Sequence, residues 1–404
     1  MKHQKILLAF SGGLDTSAIV PWLKDTYQAE VICYCSDLGN APDAKFLEAH
    51  AKKLGASELI FEDLQNQFVS EFVNPLLRSG ALYQDDYLLG TAIARPIIAE
   101  RVAYWAKERG ATAIAHGATG KGNDQIRFER SWAFLVPEIE IIAPWKIWSY
   151  TGRQDLLSYL AQKGHPFEAE EKRYSVDVNL LHRSCEGGIL EDISKAFNPK
   201  DIYAWTKPID EVSSEKTQLT LSFVGGVLQK INNETSAPEA MLKRLNEIGG
   251  QHGVGVVDLV ESRANGIKSR GIYETPGGTI IYKALNALKH TCWDRSLMSL
   301  SKQISLNYAE KVYDGQWHSQ ARFAMDAFFT EAAKTLTGDI TLQLQQAQIT
   351  IQSRQSPYSL YDENLVSFEK DPHKLHTAAD GYCRTLRLGS WQEGKQQQKL
   401  QQQR

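Results

Sequence analysis

Apolar residues in the first third of the chain fall into short unbroken runs separated by helical spacing. Residues 5–10 (Lys-Ile-Leu-Leu-Ala-Phe) and 30–35 read as strands covered on both faces, and 58–62, 112–116 and 139–143 extend the series. Between them, the 3.6-residue spacing predicts helices over 15–24, 41–54 and 93–109, the last two stopped by Gly55 and Gly110. Pro144 closes the pattern. Strand and helix alternating in this way build βαβ units on a parallel sheet. From Gln218 the pattern changes to alternation of apolar and polar residues, as in Leu-Thr-Leu-Ser-Phe-Val and Thr-Ile-Gln-Ser-Arg, which suits half-exposed antiparallel strands. Helices over 237–248, 277–289 and 321–336 lie among them. The expected organisation is an α/β domain over 1–168, an α+β domain over 169–370, and a glutamine-rich C-terminal arm or tail over 371–404.

Charge adds an exclusion. With 45 basic and 48 acidic residues, a formal net charge of -3 argues against wrapping nucleic acid, which needs concentrated positive charge. No run approaches the roughly 18 to 20 apolar residues of a membrane helix. The short apolar run at 6–10 leads into a glycine turn and not a cleavage site, so it reads as a buried strand and not a signal peptide. Cys33, Cys35, Cys185, Cys292 and Cys383 show no zinc spacing and read as small fillers in a reducing compartment, with cytoplasm the default.

The sharpest chemical signal follows the first strand: Ala9, Phe10, Ser11, Gly12, Gly13, Leu14, Asp15, Thr16, Ser17. Two glycines permit a tight turn, and the following helix aims its unpaired N–H groups and positive dipole end at whatever lies ahead. Ser11, Thr16 and Ser17 add hydroxyls. The plainer alternative is a strand–turn–helix corner with Asp15 and Thr16 as caps. The string lacks the lysine of an ordinary P-loop. Its Ser-Gly-Gly-x-Asp-Thr order resembles the pyrophosphate-binding loop of the ATP pyrophosphatases (the PP-loop superfamily), which release pyrophosphate and form adenylates.

A second constellation follows the strand at 112–116. His116, Gly117, Thr119, Gly120, Gly122, Asn123, Asp124 and Arg127 combine a flexible backbone with an amide, a carboxylate and a guanidinium. Asp124 can pair with an α-ammonium, Arg127 with a carboxylate, and Asn123 with either kind of group. Standing alone, the stretch would equally suit a solvated loop before a helix capped by Asn123 or Asp124.

Both segments, with YLLGTAIARP (87–96), YSVDVNLLHRS (174–184), VESRANGIKSRGIYETPGGT (260–279) and SPYSLYDENLVSFEKD (356–371) in that order, resemble the argininosuccinate synthase family over nearly the whole chain. The resemblance implies a nucleotide-binding domain of the ATP pyrophosphatase type, an α+β synthetase domain and an oligomerisation arm. By similarity, residues 9–17 with Ser36 and Gly117 hold ATP, and Thr119, Asn123 and Asp124 hold aspartate. Tyr87, Thr91, Asn123, Arg127, Ser175, Ser184, Glu261 and Tyr273 hold citrulline. Asp15, Asp124 and Arg127 are the candidate catalytic residues. The implied reaction is adenylation of the citrulline ureido oxygen, then attack by the aspartate amine, in arginine biosynthesis and the urea cycle. Positioning and charge neutralisation would carry it, with no nucleophilic triad. ATP is then a co-substrate, Mg²⁺ bridges its phosphates, no dedicated metal site is expected, and the active form is a homotetramer. Another adenylating ligase of the superfamily, or a nucleotide sensor without turnover, are the competing readings. Ala92 stands where the family commonly has serine, which removes a hydroxyl from the expected citrulline pocket. His116 reads equally as an acid–base group or a structural one.

Overall fold

Ile6, Leu7 and Leu8 are all fully buried, because the sheet that contains them is covered on both sides. Ile6 and Leu8 pack toward Ala18, Ile19 and Leu23 of the helix Leu14–Tyr27, while Leu7 packs toward Ala99, Val102 and Ala106 of the helix Gly90–Arg109. Strand β1 (Lys5–Ala9) lies at the centre of five parallel strands, with β2 (Glu30–Asp37), β3 (Glu58–Asp63), β4 (Ala113–Ala115) and β5 (Glu140–Ile142) in the order β3-β2-β1-β4-β5. This is the expected parallel sheet. The computed structural model describes residues 4–120, 122–167, 173–367, 369 and 373–402. The expected domain junctions at 168/169 and 370/371 lie outside the described residues.

Element ends differ from the periodic reading where local chemistry intervenes. The helix expected over 41–54 begins at Ala44, because the Asp43 carboxylate accepts the Phe46 N–H at 2.9 Å and caps it there. The helix expected from 93 begins at Gly90, after Leu89 in a left-handed conformation. A side chain at Gly90 would strike the His182 ring, with a Cβ 2.4 Å from Cγ. The π-helical turn Phe68–Val73 and the helices Asn74–Ser79, Arg153–Gln162 and Arg295–Tyr313 were not among the predicted elements, while Asp124–Leu135 is the helix that the plainer reading placed after Asn123.

Beyond residue 173, β6 (Ser175–Val178), β7 (Arg183–Glu186), β8 (Thr217–Val224), β9 (Val227–Ile231), β10 (Val256–Ser262), β11 (Lys268–Glu274), β12 (Gly338–Gln345) and β13 (Gln348–Gln355) form two antiparallel sheets. Their orders are β10-β11-β7-β6 and β13-β12-β8-β9. The alternating pattern after Gln218 foretold the second. The first, built partly from the polar strands Ser-Val-Asp-Val and Arg-Ser-Cys-Glu, was not visible in it. Helices Pro238–Gln251 and Pro276–Cys292 match expectation closely, and 321–336 resolves into Gln320–Ala332 plus a 3₁₀ turn.

A single apolar core joins the halves. Phe68, Phe72, Leu76, Ile93 and Ile97 pack with Leu242, Ile280, Leu285, Tyr308, Phe329 and Leu342. Met1–Tyr358 accordingly forms one compact unit. Ser359–Arg404 is a separate unit, dominated by the helix Leu375–Gln402, whose described side chains are all exposed. Among the described residues, no helix is long and apolar enough to cross a membrane.

Candidate active site

Past β1, the Phe10 N–H donates to the Tyr34 carbonyl at 2.8 Å, and the chain then turns through Gly12 at φ +74°. A Cβ on Gly12 would lie 2.6 Å from Leu47 Cδ2, so both backbone and space demand glycine. Gly13 is the N-cap of the helix Leu14–Tyr27 and offers no side-chain bond, so neither Asp15 nor Thr16 caps the first turn. Instead, the Thr16 hydroxyl donates to the Gly13 carbonyl at 3.2 Å and sits 3.2 Å from Ser11 Oγ, which accepts the Gly13 N–H at 3.3 Å. The loop's hydroxyls brace it internally, and the helix start is left open to an anion. Burial, opposed by backbone hydrogen bonding, Arg153 and Trp145, raises the Asp15 pKa above the usual carboxylate value.

The loop opens into a cleft of about 1180 Å³ at the carboxyl ends of β1 and β4. There the strand order reverses direction, the position where open parallel sheets take their ligands. Ala9, Phe10, Ser11, Gly13, Asp15, Thr16, Ser36, Gly117, Thr119, Asn123, Asp124, Arg127, Tyr87, Thr91, Ser175, Ser184, Glu261 and Tyr273 all line this one cavity. Of the ATP, aspartate and citrulline positions carried over by similarity, Gly12, Leu14 and Ser17 do not. Leu14 is buried in the core, and the Ser17 hydroxyl lies 2.8 Å from His50 Nε2. Ser36 Oγ is buried at the cleft wall, near enough to the Tyr34 hydroxyl to interact with it.

The half of the cleft around Asp124 and Arg95 is an electrostatic lattice. Asp124 begins its helix and meets Arg95 Nη2 at 2.9 Å and Arg127 Nη1 at 3.2 Å. Burial works against its charge, but the two guanidiniums prevail and hold its carboxyl below the ordinary value. Arg95 also reaches Asp177 Oδ1 at 3.0 Å. The second Asp177 oxygen accepts the Thr91 hydroxyl at 2.9 Å, and His182 Nε2 stands 2.8 Å from that hydroxyl. Thr91 therefore spends its proton on Asp177, and His182 must donate to it. Burial pushes the His182 pKa down to about 4, so the ring is neutral there. Arg95, Asp177, His182 and Tyr313 were missed in the sequence. Arg95, Asp177 and His182 had a signal, since all three sit inside quoted family stretches, whereas Tyr313 sits in none.

Arg127 departs from the simple two-pronged fork expected for it. It is buried, its Nε–H donates to the Tyr313 carbonyl at 3.1 Å, and Nη1 is engaged with Asp124. Asn123 does not cap its helix either. Its Nδ2 donates to the Tyr313 hydroxyl at 2.9 Å, and its Oδ1 accepts the Ala264 N–H at 3.0 Å. Tyr87 and Tyr273 stack with centroids 4.5 Å apart and form an aromatic wall. Ala92 requires a correction: it is fully buried in the core and does not face the cleft, so the residue at this position is not part of the pocket wall. His116 lines the cleft but is nearly sealed, stacked on Phe128 with Nε2 3.5 Å from Glu129. Its Nδ1 accepts the Ala118 N–H at 3.1 Å, which braces the loop that follows.

Comparison with known families bears on the same residues. A family model described as the arginosuccinate synthase N-terminal HUP domain matches residues 5–166, and one described as the arginosuccinate synthase C-terminal domain matches 174–391. The chain belongs to the argininosuccinate synthase family. Similar proteins of that family include argininosuccinate synthase of Desulfitobacterium hafniense, 47% identical over 388 residues (95% of this chain, 96% of that one). Another is that of Caldanaerobacter subterraneus, 45% identical over 391 residues (96% and 95%). The chloroplastic argininosuccinate synthase of Arabidopsis thaliana is 43% identical over 390 residues, covering 96% of this chain and 78% of that protein. Argininosuccinate synthase family membership thus spans both the phosphate-loop half and the half carrying β6, β7, β10 and β11.

Proposed function

We propose that this chain is an ATP-dependent carbon–nitrogen ligase that adenylates L-citrulline and joins it to L-aspartate, giving argininosuccinate, AMP and pyrophosphate. The observation that carries the reading is the shared cleft: a lysine-free phosphate loop and a carboxylate–guanidinium lattice face one space. The ureido oxygen forms a bond to the α-phosphorus as the bond to pyrophosphate breaks. The aspartate nitrogen then bonds to the activated carbon, AMP leaves with the former ureido oxygen, and the nitrogen sheds its proton. The open helix start behind Gly13 holds phosphate oxygens, and the Ser36 hydroxyl and Gly117 backbone flank the nucleoside. Asp124, kept ionised by Arg95 and Arg127, attracts the aspartate ammonium together with Thr119 and Asn123. Glu261, Ser175 and Ser184 meet citrulline N–H groups, and the Tyr87–Tyr273 wall covers its methylenes.

Among the described residues, no group of three or more His, Cys, Asp or Glu side chains is placed to hold a metal ion. Mg²⁺ is read as part of the nucleotide substrate, and Asp15, which lines the cleft, is the loop carboxylate that would face it. Domains at 1–168, 169–370 and 371–404, a homotetramer and a cytoplasmic setting belong to the same proposal. Exposed Tyr382, Leu386 and Trp391 on the C-terminal helix support chain–chain contact, and the free, mostly buried cysteines suit a reducing compartment.

The test is product analysis with ureido-¹⁸O citrulline, aspartate and Mg·ATP. The expected products are AMP carrying the label, pyrophosphate and argininosuccinate. ADP and orthophosphate would refute an adenylating ligase, and absence of turnover would favour a sensor.

A further inference from the structure

Tyr313 is the last residue of its helix, is fully buried, and does not itself line the cleft. Three cleft residues nevertheless converge on it. Its hydroxyl lies 2.7 Å from Glu261 Oε1 and 2.9 Å from Asn123 Nδ2, and its carbonyl takes the Arg127 Nε–H. The Arg127 guanidinium lies 5.1 Å from the ring centroid, and Tyr83 stacks on the ring at 3.6 Å.

The phenol has one proton to give. Asn123 Nδ2 can only donate, so the phenol accepts from it and donates to Glu261. Asn123 is held in this orientation at its other end, where Oδ1 accepts the Ala264 N–H. Glu261 keeps a second oxygen, Oε2, buried and with no partner at hydrogen-bond geometry, while the Tyr273 hydroxyl also bears on the carboxylate. A buried acceptor at a cleft wall with capacity left over is stabilised when a ligand donates to it.

We propose that Tyr313 is a positioning residue that fixes the hydrogen-bond polarity of the amino-acid half of the cleft, making Glu261 Oε2 an acceptor reserved for an N–H-bearing ligand end. This rests on the reading of that half as the citrulline site, and it names what keeps Glu261 oriented toward a citrulline N–H there. The groups facing Glu261 are Tyr313, Tyr273, Tyr87, Tyr83, Arg127 and Glu186. Burial raises the Glu261 pKa, and the Tyr313 hydroxyl and Arg127 pull it back down. Removing the hydroxyl therefore raises it further.

Tyr313→Phe keeps the ring on Tyr83 and the backbone bond to Arg127. In the full chain, KM for citrulline should rise about tenfold while KM for ATP stays within about twofold. The acid limb of kcat/KM for citrulline should also move to higher pH. If Tyr313 acts through Glu261, the effects of Tyr313→Phe and Glu261→Gln on citrulline should be strongly non-additive in a double-mutant cycle. Should Tyr313→Phe not fold, Tyr313→3-fluorotyrosine, a stronger donor of nearly the same shape, should move the acid limb to lower pH. An unmoved citrulline KM and pH profile, or additive effects, would overturn the positioning role. Failure of the wild-type chain to make argininosuccinate would instead overturn the reading of the site.

Discussion

The guanidinium of Arg95 meets the carboxylate of Asp124 at 2.9 Å, joining the second turn of one helix to the first residue of another at the cleft. Arg95 also binds Asp177, so one cation holds two carboxylates that would otherwise repel. Removing it by Arg95→Met should cost about 2 kcal/mol, below the usual figure for a buried pair because Asp124 is a third exposed. The pH sign follows from Asp124, whose folded pKa is depressed below the unfolded value of 3.8. Its contribution to stability is complete above that value and disappears as pH falls through the lower, folded one. Urea unfolding of wild type and Arg95→Met should therefore differ at pH 7 and converge in strong acid. A constant difference at every pH would disprove the electrostatic account.

Gly12→Ala tests the phosphate loop. A left-handed alanine costs about 1–2 kcal/mol, and its methyl also presses on Leu47. Thermal melting should register the loss, and KM for ATP should rise more than that for either amino acid. Equal rises for all three substrates would mean that the loop is not the nucleotide's own site.

Lys289 is buried beside Gly80 and Trp293, without a carboxylate partner among the described residues. Burial pushes its pKa down to about 7 from an ordinary 10.5. The unfolded chain then binds the extra proton between those values, so the residue destabilises fully below pH 7 and progressively less as pH rises toward 10.5. Lys289→Met should raise stability at pH 6.5 by roughly 2 kcal/mol or more, and by much less at pH 10. A gain independent of pH would point to packing alone.

Deleting residues from Gly389 onward removes Trp391 and Leu400, both more than half exposed. If the C-terminal helix joins chains, light scattering should report a smaller mass, with melting of the remainder little changed. An unaltered mass would make this helix a solvated appendage.

What could be read in advance was local. The turn at Gly12 and Gly13, the runs of β1 and β2, and the cap-to-glycine helices depend on neighbours within a few residues, so their pattern is written contiguously. Asn123–Tyr313, separated by 190 residues, and Thr91–His182, separated by 91, carry no such pattern. Neither the tyrosine nor the histidine looks unusual in its own segment. Asn123 and Asp124 were found for their chemistry, but their pairing with Tyr313 and Arg95 exists only once the halves share a core. Ala92 was misplaced for the opposite reason: its neighbours Thr91 and Arg95 face the cleft, and a helix turns its next residue away.

The end of the helix Arg295–Tyr313 has a consequence for insertions and deletions. Each residue added to or removed from a helix rotates everything beyond it by roughly 100° and shifts it by about 1.5 Å. Tyr313 is gripped from three sides, and Gly315 just beyond it would have a Cβ only 2.6 Å from the Arg127 Cα. Asp294, whose carboxylate caps the other end at 2.7 Å, anchors the start. The nineteen residues from Arg295 to Tyr313, which run from the cap to the phenol, therefore act as a ruler of set length. Substitutions along its outer face can accumulate freely, whereas a single change in residue count would carry the phenol off Glu261 and Asn123 together.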